Sequence, residues 1–516
     1  MKMRKSMQIL GKRCLVNEGC DGMRLVFLSL ALLFLAAADM KAQLARDDVF
    51  HARYHLDKVV MVGRHHVRSG VISKTERRIT PHQWHQWTVG DGNLTERGAM
   101  LEQQMGVFYR LWTMQEGLYG EASAPVAGQT RLYANSMPRT VETARSFAAG
   151  FSPDHAMEAD YDKSVKFGSM SPVFNDVSTK VTPKILAKAN AEVEDGCAPD
   201  GFAAAVARLE EDAAVMARVL DLQNSPACQL HDTCSFLFTN PQVFLRQKIM
   251  PRITAGLIYL AQMASGNLIL QYYDMPESRG SIFGHPVTLS DLCSIGRVKD
   301  SWCFLSMGFP TIGRDVAHNL LIRLKSEMED PTVRLSYLVG HDSNMAALAG
   351  ALELEKYVLE NTPEEKTPLG GKMTFEIWKD ADDNAFVALN YVYQNVDQIM
   401  EMTPLSLEVP PMVHSLCLKQ LKPNADGLYP LSDFMAFLGQ AIAEYDDLDS
   451  YRQGDVNLDR RVDMLDVVDV VNHLLGNTWR TFVQEVADDN GDGSIDLEDA
   501  SAIMQLVARG QSSLPE

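Results

Sequence analysis

The apolar run Val59-Val60-Met61-Val62 leads, one glycine later, into Arg64-His65-His66-Val67-Arg68. A short apolar run bounded by turn signals reads as a buried strand. A basic cluster at the carboxyl end of such a strand lies where open α/β sheets bind ligands. The strand is expected to give way to a helix here, whose first backbone N–H groups favour an anion. Two guanidinium forks can grip a phosphate, and an imidazole beside them can attack it. The competing reading is a surface turn with three basic residues.

The surrounding pattern supports a sheet with helices on both faces. Thr95 to Trp112 reads as a long amphipathic helix, Thr130 to Ala134 as a short strand, and Arg139 to Phe147 as a helix after it. Strands alternating with helices imply an α/β fold. From Pro183 to Met263 the Ala, Leu, Glu and Gln content predicts several helices without intervening strands. Strands return at Val333 to Val339, Met373 to Trp378 and Phe386 to Tyr393. One mixed sheet built from both ends of the sequence, with a helical insertion at about 180–330, accounts for this order.

The net charge of −19 argues against sequence-independent nucleic-acid binding and makes local basic clusters more telling. Met23-Arg24 is followed by the apolar run Leu25 to Ala38 and by Met40-Lys41-Ala42-Gln43. That run is short for a bilayer span and ends in small residues, as a signal peptide does. Residues 1–42 are therefore expected to be an N-terminal extension and signal (about 23–42), cleaved near Ala42, leaving no stable membrane span. A periplasmic, secreted or cell-surface location follows. Beyond Cys14 and Cys20, six cysteines remain, an even number compatible with disulfides in an oxidising compartment. Cys228 and Cys234 are close enough to close a small loop; the other pairings stay open.

Two further strand ends carry polar turns: Tyr133-Ala134 runs toward Arg139, and Leu338-Val339-Gly340 runs into His341-Asp342. With Gln271-Tyr272-Tyr273-Asp274 they could converge on one pocket. The stretches YANSMPRTVET from Tyr133, SPAC from Ser225, LQYYD from Leu270, LVGHDSN from Leu338, TPLGGK from Thr367 and YVYQ from Tyr391 occur in this order. On these the sequence resembles the histidine acid phosphatases, and within them the bacterial periplasmic glucose-1-phosphatases and related phytases. The resemblance covers roughly residues 50 to 440.

It implies a phosphoglycerate-mutase-like mixed sheet flanked by helices, in a domain spanning 43–443. It also implies His65 as a nucleophile forming a phosphohistidine, and Asp342 as the acid that protonates the leaving alcohol and then accepts a proton from water. Arg64, Arg68, Arg139 and His341 would hold the phosphate oxygens, so catalysis needs no metal. Asp274 aligns with a glutamate that contacts the sugar in glucose-1-phosphatases, one methylene longer. The substrate expected is a sugar phosphate monoester, with phytate as the rival. The family's proline after the second arginine is replaced by Ser69-Gly70, and His66 stands where Gly or Asn is common. A mutase, or an inactive calcium-dependent attachment protein on the same fold, are the other readings.

After Ala443 the acidic stretch Glu444 to Asp449 predicts a linker at 444–451. Two twelve-residue loops follow. The first places Asp455, Asn457, Asp459, Asp463 and Asp466 at loop positions one, three, five, nine and twelve, with Arg461 at seven. The second places Asp488, Asn490, Asp492, Asp496 and Asp499 there, with Ser494 at seven. This is EF-hand spacing, which wraps hard oxygen ligands around a Ca²⁺ ion, position seven giving its backbone carbonyl. Each loop runs into an apolar helix, Val467 to Leu475 and Ala500 to Val507, followed by Gly476 and Gly510 as expected caps. Residues 452–516 resemble a dockerin, a small all-α calcium-binding domain whose helices bind a cohesin partner. The first loop has Arg460 where a glycine normally permits the turn.

Overall fold

Strand β1 (Tyr54–Arg64) lies inside the sheet because its side chains are apolar on both faces. Val59, Val60, Met61 and Val62 are fully buried. Successive side chains of a strand point to opposite faces. Val59 and Met61 pack with Phe108, Trp112 and Phe147, while Val60 and Val62 pack with Ala346, Leu320 and Leu348. Burying each such side chain stabilises the fold by about 1.5–3 kcal/mol.

The computed structural model describes residues 46–120, 124–230, 234–448, 453–457, 461–477 and 482–509. The expected signal segment, Cys14, Cys20, Asp459, Arg460, Gly510 and residues 449–451 of the expected linker lie outside them.

The other strands are β2 (Thr130–Ala134), β3 (Ala159–Tyr161), β4 (Gln242–Phe244), β5 (Arg252–Thr254), β6 (Ser281–Ile282), β7 (His285–Pro286), β8 (Leu335–Gly340), β9 (Lys372–Asp380), β10 (Ala385–Tyr393), β11 (Met412–Ser415) and β12 (Tyr429–Pro430). The main sheet runs β11-β10-β9-β1-β8-β2-β3, with β12 on β10. β1, β8, β2 and β3 are mutually parallel, and β9, β10 and β11 continue antiparallel. This is the mixed sheet assembled from both ends of the chain.

Helix α1 (Glu96–Gln115), capped by Thr95, and α2 (Pro138–Phe151), opened by its N-terminal proline, cover one face. The insertion holds α3 (Pro183–Gly196), α4 (Gly201–Val219), α5 (Ile258–Asp274), α6 (Leu289–Met307) and α7 (Pro310–Glu329). The expectation of helices alone between 183 and 263 fails, because β4 and β5 form an antiparallel pair there. Three-residue strands are too short for a period of two to stand out. Beyond β8 come α8 (Asp342–Ala351) and, after β12, α9 (Leu431–Ala443).

The acidic stretch after α9 is not a free spacer in its described part. Glu444 pairs with Arg314, the Tyr445 ring stacks on His318 at 3.8 Å, and Lys180 Nζ donates to the Tyr445 carbonyl at 2.6 Å. These partners lie on α7 and beside α3, far away in sequence, which composition alone does not show.

Cys228 and Cys234 form a disulfide; Cys197, Cys293, Cys303 and Cys417 are free thiols. Residues beyond 452 have their own small core of Val456, Val467, Val470, Val486 and Ile503. Helices α10 (Met464–Leu474) and α11 (Leu497–Ala508) each begin three residues earlier than periodicity suggests. The capping boxes Asp463/Asp466 and Asp496/Asp499 recruit the end of each loop into the first turn. Among the described residues no helix is long and apolar enough to cross a membrane.

Candidate active site

Parallel pairing brings three motifs to one edge of the sheet. Arg64 pairs with Gly340 and Ala134 with Val339, so β1, β8 and β2 end side by side. The His65 N–H donates to the Gly340 carbonyl at 3.0 Å, and the Asn135 N–H to the Val339 carbonyl at 2.9 Å. His341 is the N-cap of α8, Asp342 its first residue, and Arg139 sits in the first turn of α2.

The first motif departs from expectation: no helix follows β1. Residues 65–72 run as an extended loop instead. The Ser69 N–H donates to the Asn93 carbonyl (2.9 Å), Ser69 Oγ to Gly90 (2.6 Å), and the Thr95 N–H to Val67 (3.0 Å). Ser, Gly, Val and Ile are modest or poor helix formers, and lateral pairing holds the loop. Any Cβ at Gly70 would approach Asn267 Oδ1 to 2.7 Å, so the residue replacing the family proline is fixed by that close approach.

A cavity of about 300 Å³ opens here, lined by His65, Arg68, Arg139, His341, Asp342 and Lys299 among others. Arg64 lies beneath it. Its Nη1 donates to Glu364 Oε1 at 2.8 Å and to the Thr367 carbonyl, and its Nη2 is 3.5 Å from Asp342 Oδ2. Asp274 does not line this cavity. It sits at the end of α5, with Oδ2 3.1 Å from His85 Nε2.

Hydrogen bonds fix the tautomers of His65 and His66. His65 Nδ1–H donates to the His66 carbonyl at 2.8 Å, which leaves the Nε2 lone pair free. Asn135 Oδ1 accepts from the Ser136 and Ser171 N–H groups, both at 2.8 Å, so its amide nitrogen must face His341 Nε2 at 2.7 Å. His341 thus has a donor on each side, since Arg139 Nη2 lies 3.3 Å from its Nδ1. His66 takes the opposite arrangement: the Val67 N–H donates to its Nδ1 (2.9 Å), and its Nε2–H donates to Gln394 (3.1 Å). It is packed rather than solvent-facing, in space left by Gly370, whose φ is +70° and where a Cβ would clash with the ring.

The electrostatics around His65 are dominated by buried cations. Burial, with Arg139 and Arg68 beside it, holds the His65 imidazole neutral, well below the usual range; burial and Arg139 do the same to His341. Burial and Arg139 push Arg68 down to about 10, and burial lowers Arg139. The buried Nε atoms of Arg64, Arg68 and Arg139 have no hydrogen-bond partner among the described residues. Buried donors are rarely left so.

Asp342 is flanked by two cations. Burial disfavours its charge, but Lys299 and Arg64 outweigh burial and hold the carboxyl well below its ordinary range. Lys299, on α6, contacts Asp342 Oδ2 and lies 3.1 Å from Glu364 Oε1. Lys299, Glu364, Asn135 and Asp176 belong to this site and were absent from the sequence-based set. Asp176 lines the cavity, accepts from Ser343 Oγ at 2.8 Å, and is raised by burial and by Asp342. Asn135 sits inside the YANSMPRTVET stretch, a signal available from sequence; Lys299 lies on a helix with no motif around it.

In the C-terminal loops, Asp466 and Asp499 fold back on the loop starts. Asp466 Oδ1 accepts from the Val456 N–H (2.9 Å) and Asp499 Oδ1 from the Asp489 N–H (2.9 Å). Asp488 Oδ2 accepts from the Gly493 N–H at 2.9 Å, and Asp492 Oδ1 from Ser494 at 2.8 Å. Gly493, at loop position six, has φ +86°, the left-handed turn that glycine permits. The second loop thus gathers Asp488, Asn490, Asp492 and Asp499 around one turn, an all-oxygen donor set suited to a hard cation. Asp463 and Asp496 serve as helix N-caps. Asp455 and Asn457 are buried, whereas Arg461 and Ser494 are exposed.

Residues 32–257 match the histidine phosphatase superfamily (branch 2), and residues 453–508 match the dockerin type I domain. The first match makes residues 32–257 similar to histidine phosphatases of branch 2, and the second makes residues 453–508 similar to dockerin type I domains. A glucose-1-phosphatase of Providencia rettgeri is 29% identical over 398 residues, covering 75% of this chain and 92% of that protein. Phytase AppA of Escherichia coli is 29% identical over 413 residues, with 75% and 92% covered. The phytase of Citrobacter braakii superposes with a TM-score of 0.67 at 25% identity, over 75% of this chain and 98% of its own.

Proposed function

We propose that the enzyme hydrolyses sugar phosphate monoesters, glucose-1-phosphate-like, through a phosphohistidine on His65. The carrying observation is the buried trio Arg64, Arg68 and Arg139, whose Nε–H groups lack partners around a neutral His65. A phosphate dianion supplies the missing acceptors and charge. His65 Nε2 attacks phosphorus as the P–O bond to the leaving alcohol breaks, and Asp342 gives that oxygen its proton. Water then attacks phosphorus, the P–N bond breaks, and Asp342 takes the water's proton. His341 would help to hold the phosphate oxygens. The bound dianion offsets Arg64, which lets Asp342 hold a proton that Lys299 and Arg64 otherwise disfavour. Asp274, oriented by His85 beyond the cavity, is proposed to receive sugar hydroxyls.

A second reading, phytate hydrolysis, has its own support. Arg252 also lines the cavity, and its buried Nε has no partner among the described residues. That cation exceeds what one reacting phosphate needs. Phytases are among the similar proteins.

The dockerin domain is proposed to bind Ca²⁺ through Asp455, Asn457, Asp459, Asp463 and Asp466, and through Asp488, Asn490, Asp492, Asp496 and Asp499. The backbone carbonyls of Arg461 and Ser494 complete the two sets. The oxygen-only donor set of the second loop fits that ion. A cohesin-type partner is proposed for its helices, on which Leu465, Val468, Leu497 and Met504 are exposed. Export into an oxidising compartment accords with the Cys228–Cys234 disulfide.

The test compares Asp342→Asn with the parent on glucose-1-phosphate and on p-nitrophenyl phosphate, whose leaving group needs no proton. Loss of general acid catalysis lowers kcat/KM, which reports only the steps up to release of the alcohol, about 10²–10⁴-fold on the first and much less on the second. Equal losses would contradict Asp342 as the acid, and no phosphate release by the parent would contradict the activity.

A further inference from the structure

Away from the active-site cavity, three residues from distant parts of the chain meet at His82. His82 lies in the segment after the first motif, Asp221 just beyond the end of α4, and His285 opens β7. His82 Nε2 and His285 Nε2 face each other at 3.3 Å, and Asp221 Oδ2 is 4.0 Å from His82 Nε2. One ligand atom from each of the three lies within 4.8 Å of the others.

The donor set and its spacing point to a metal. Two imidazoles and a carboxylate are a common set for zinc, with a fourth position for water. With Zn–N bonds of about 2.0–2.1 Å, tetrahedral geometry puts two ligand nitrogens about 3.3 Å apart. The two nitrogens already stand at that separation, with the carboxylate oxygen slightly farther out. A direct hydrogen bond between the rings would occupy one N–H but would leave Asp221 outside it.

The surroundings hold this arrangement. The His82 ring stacks on Phe283, with centroids 5.1 Å apart and planes at 17°, which limits its rotation. Phe283 sits in the turn between β6 and β7 with φ +52°. Asp221 is itself left-handed, with φ +51°, a conformation that Asp tolerates better than most residues. His82 and Asp221 side chains are 30% and 28% exposed, so an ion can enter from solvent.

We propose that His82, Asp221 and His285 form a zinc site that clamps the β6–β7 turn and the end of α4 to the segment following the first motif. That segment and turn also carry His85 and Phe283, which line the adjoining cavity beside Tyr272 of α5. The clamp is therefore a strut of the wall next to Asp274. It takes no part in the phosphoryl chemistry and does not depend on the substrate proposed above.

The test titrates the purified protein with Zn²⁺ by calorimetry, with Ca²⁺ held in excess to occupy the C-terminal loops. A melting curve is followed at each Zn²⁺ level. The parent should bind one Zn²⁺ that His82→Ala and His285→Ala variants lose, with a rise in melting temperature absent from both. Removing even an indirect partner of a metal ligand costs about 10–100-fold in affinity, so removing a ligand should cost at least 100-fold. Circular dichroism and p-nitrophenyl phosphate hydrolysis in EDTA check that each variant is folded. If an alanine variant is not folded, His285→Gln, which keeps volume and polarity, takes its place. A parent that binds no Zn²⁺, or folded variants that bind it as tightly as the parent, would overturn the proposal.

Discussion

The ammonium of Lys299 contacts the Asp342 carboxylate from a helix more than forty residues upstream in sequence, inside the insertion. A cation at that distance favours the ionised carboxylate and opposes its use as an acid. The insertion therefore does more than shape the substrate's wall: it sets the proton affinity of a group on the sheet's edge.

Replacing Lys299 by Met removes that charge while keeping a long stem. The Asp342 pKa should rise, and the descending, high-pH limb of the kcat/KM profile should move up by about 1 pH unit or more. Glu364 also loses a partner at 3.1 Å, so some stability is lost as well. A stability defect alone would leave the limb in place, so an unmoved limb in folded Lys299→Met would separate Lys299 from Asp342's titration.

Two wall residues should separate the candidate substrates. Asp274→Ala should raise KM for glucose-1-phosphate while leaving that for p-nitrophenyl phosphate nearly unchanged, because only the first has hydroxyls to bind. Arg252→Ala should weaken phytate turnover more than that of either monoester. Steady-state kinetics on the three substrates checks both. Equal effects of Arg252→Ala on all three would remove the case for a second phosphate contact.

His66 gives a pH signature of stability. Burial, with the charges of Lys372, Arg64 and Arg97 nearby, drives its pKa down to about 3, against about 6.5 for a free imidazole. Between pH 6.5 and 3 the unfolded chain binds a proton at this position that the folded protein does not. Stability therefore falls as pH drops through that window, by about 1.4 kcal/mol per unit for this one group. His66→Gln should flatten the dependence of unfolding free energy on pH between 6 and 4 by up to one proton. Denaturant melts of the two proteins across that range measure it; identical slopes would contradict a neutral buried His66.

Chelation should act on the C-terminal domain and spare hydrolysis. With EDTA in excess, the transition belonging to residues 453–509 should fall to lower temperature while p-nitrophenyl phosphate turnover persists. Asp488→Ala should reproduce part of that loss, since Asp488 receives the N–H groups of Gly491, Asp492 and Gly493. Scanning calorimetry with and without Ca²⁺ reads both.

What the sequence disclosed and what it withheld follow from range. The β1 run, the Thr130–Ala134 strand and the polar turns after β2 and β8 were legible because their signals are local. So was the EF-hand spacing, which lies within twelve residues. The Cys228–Cys234 bridge was legible from proximity. The extended loop after β1 was not, because its conformation depends on hydrogen bonds to residues 90–95. Lys299 and Glu364 were hidden for a similar reason: each is an ordinary charged residue until the fold sets it beside Asp342 or Arg64. The packed stretch 444–448 read as a linker because its partners, Arg314, His318 and Lys180, are far away in sequence.

The central claim is a covalent phosphate on His65. Rapid acid-free quenching during turnover of a labelled phosphate monoester, followed by peptide mass spectrometry, tests it most directly. The account predicts up to one phosphate per chain on the peptide containing His65, stable to base and labile to acid. It predicts none in His65→Ala, together with loss of hydrolysis. A phosphate found on another residue, or full turnover by His65→Ala, would contradict it.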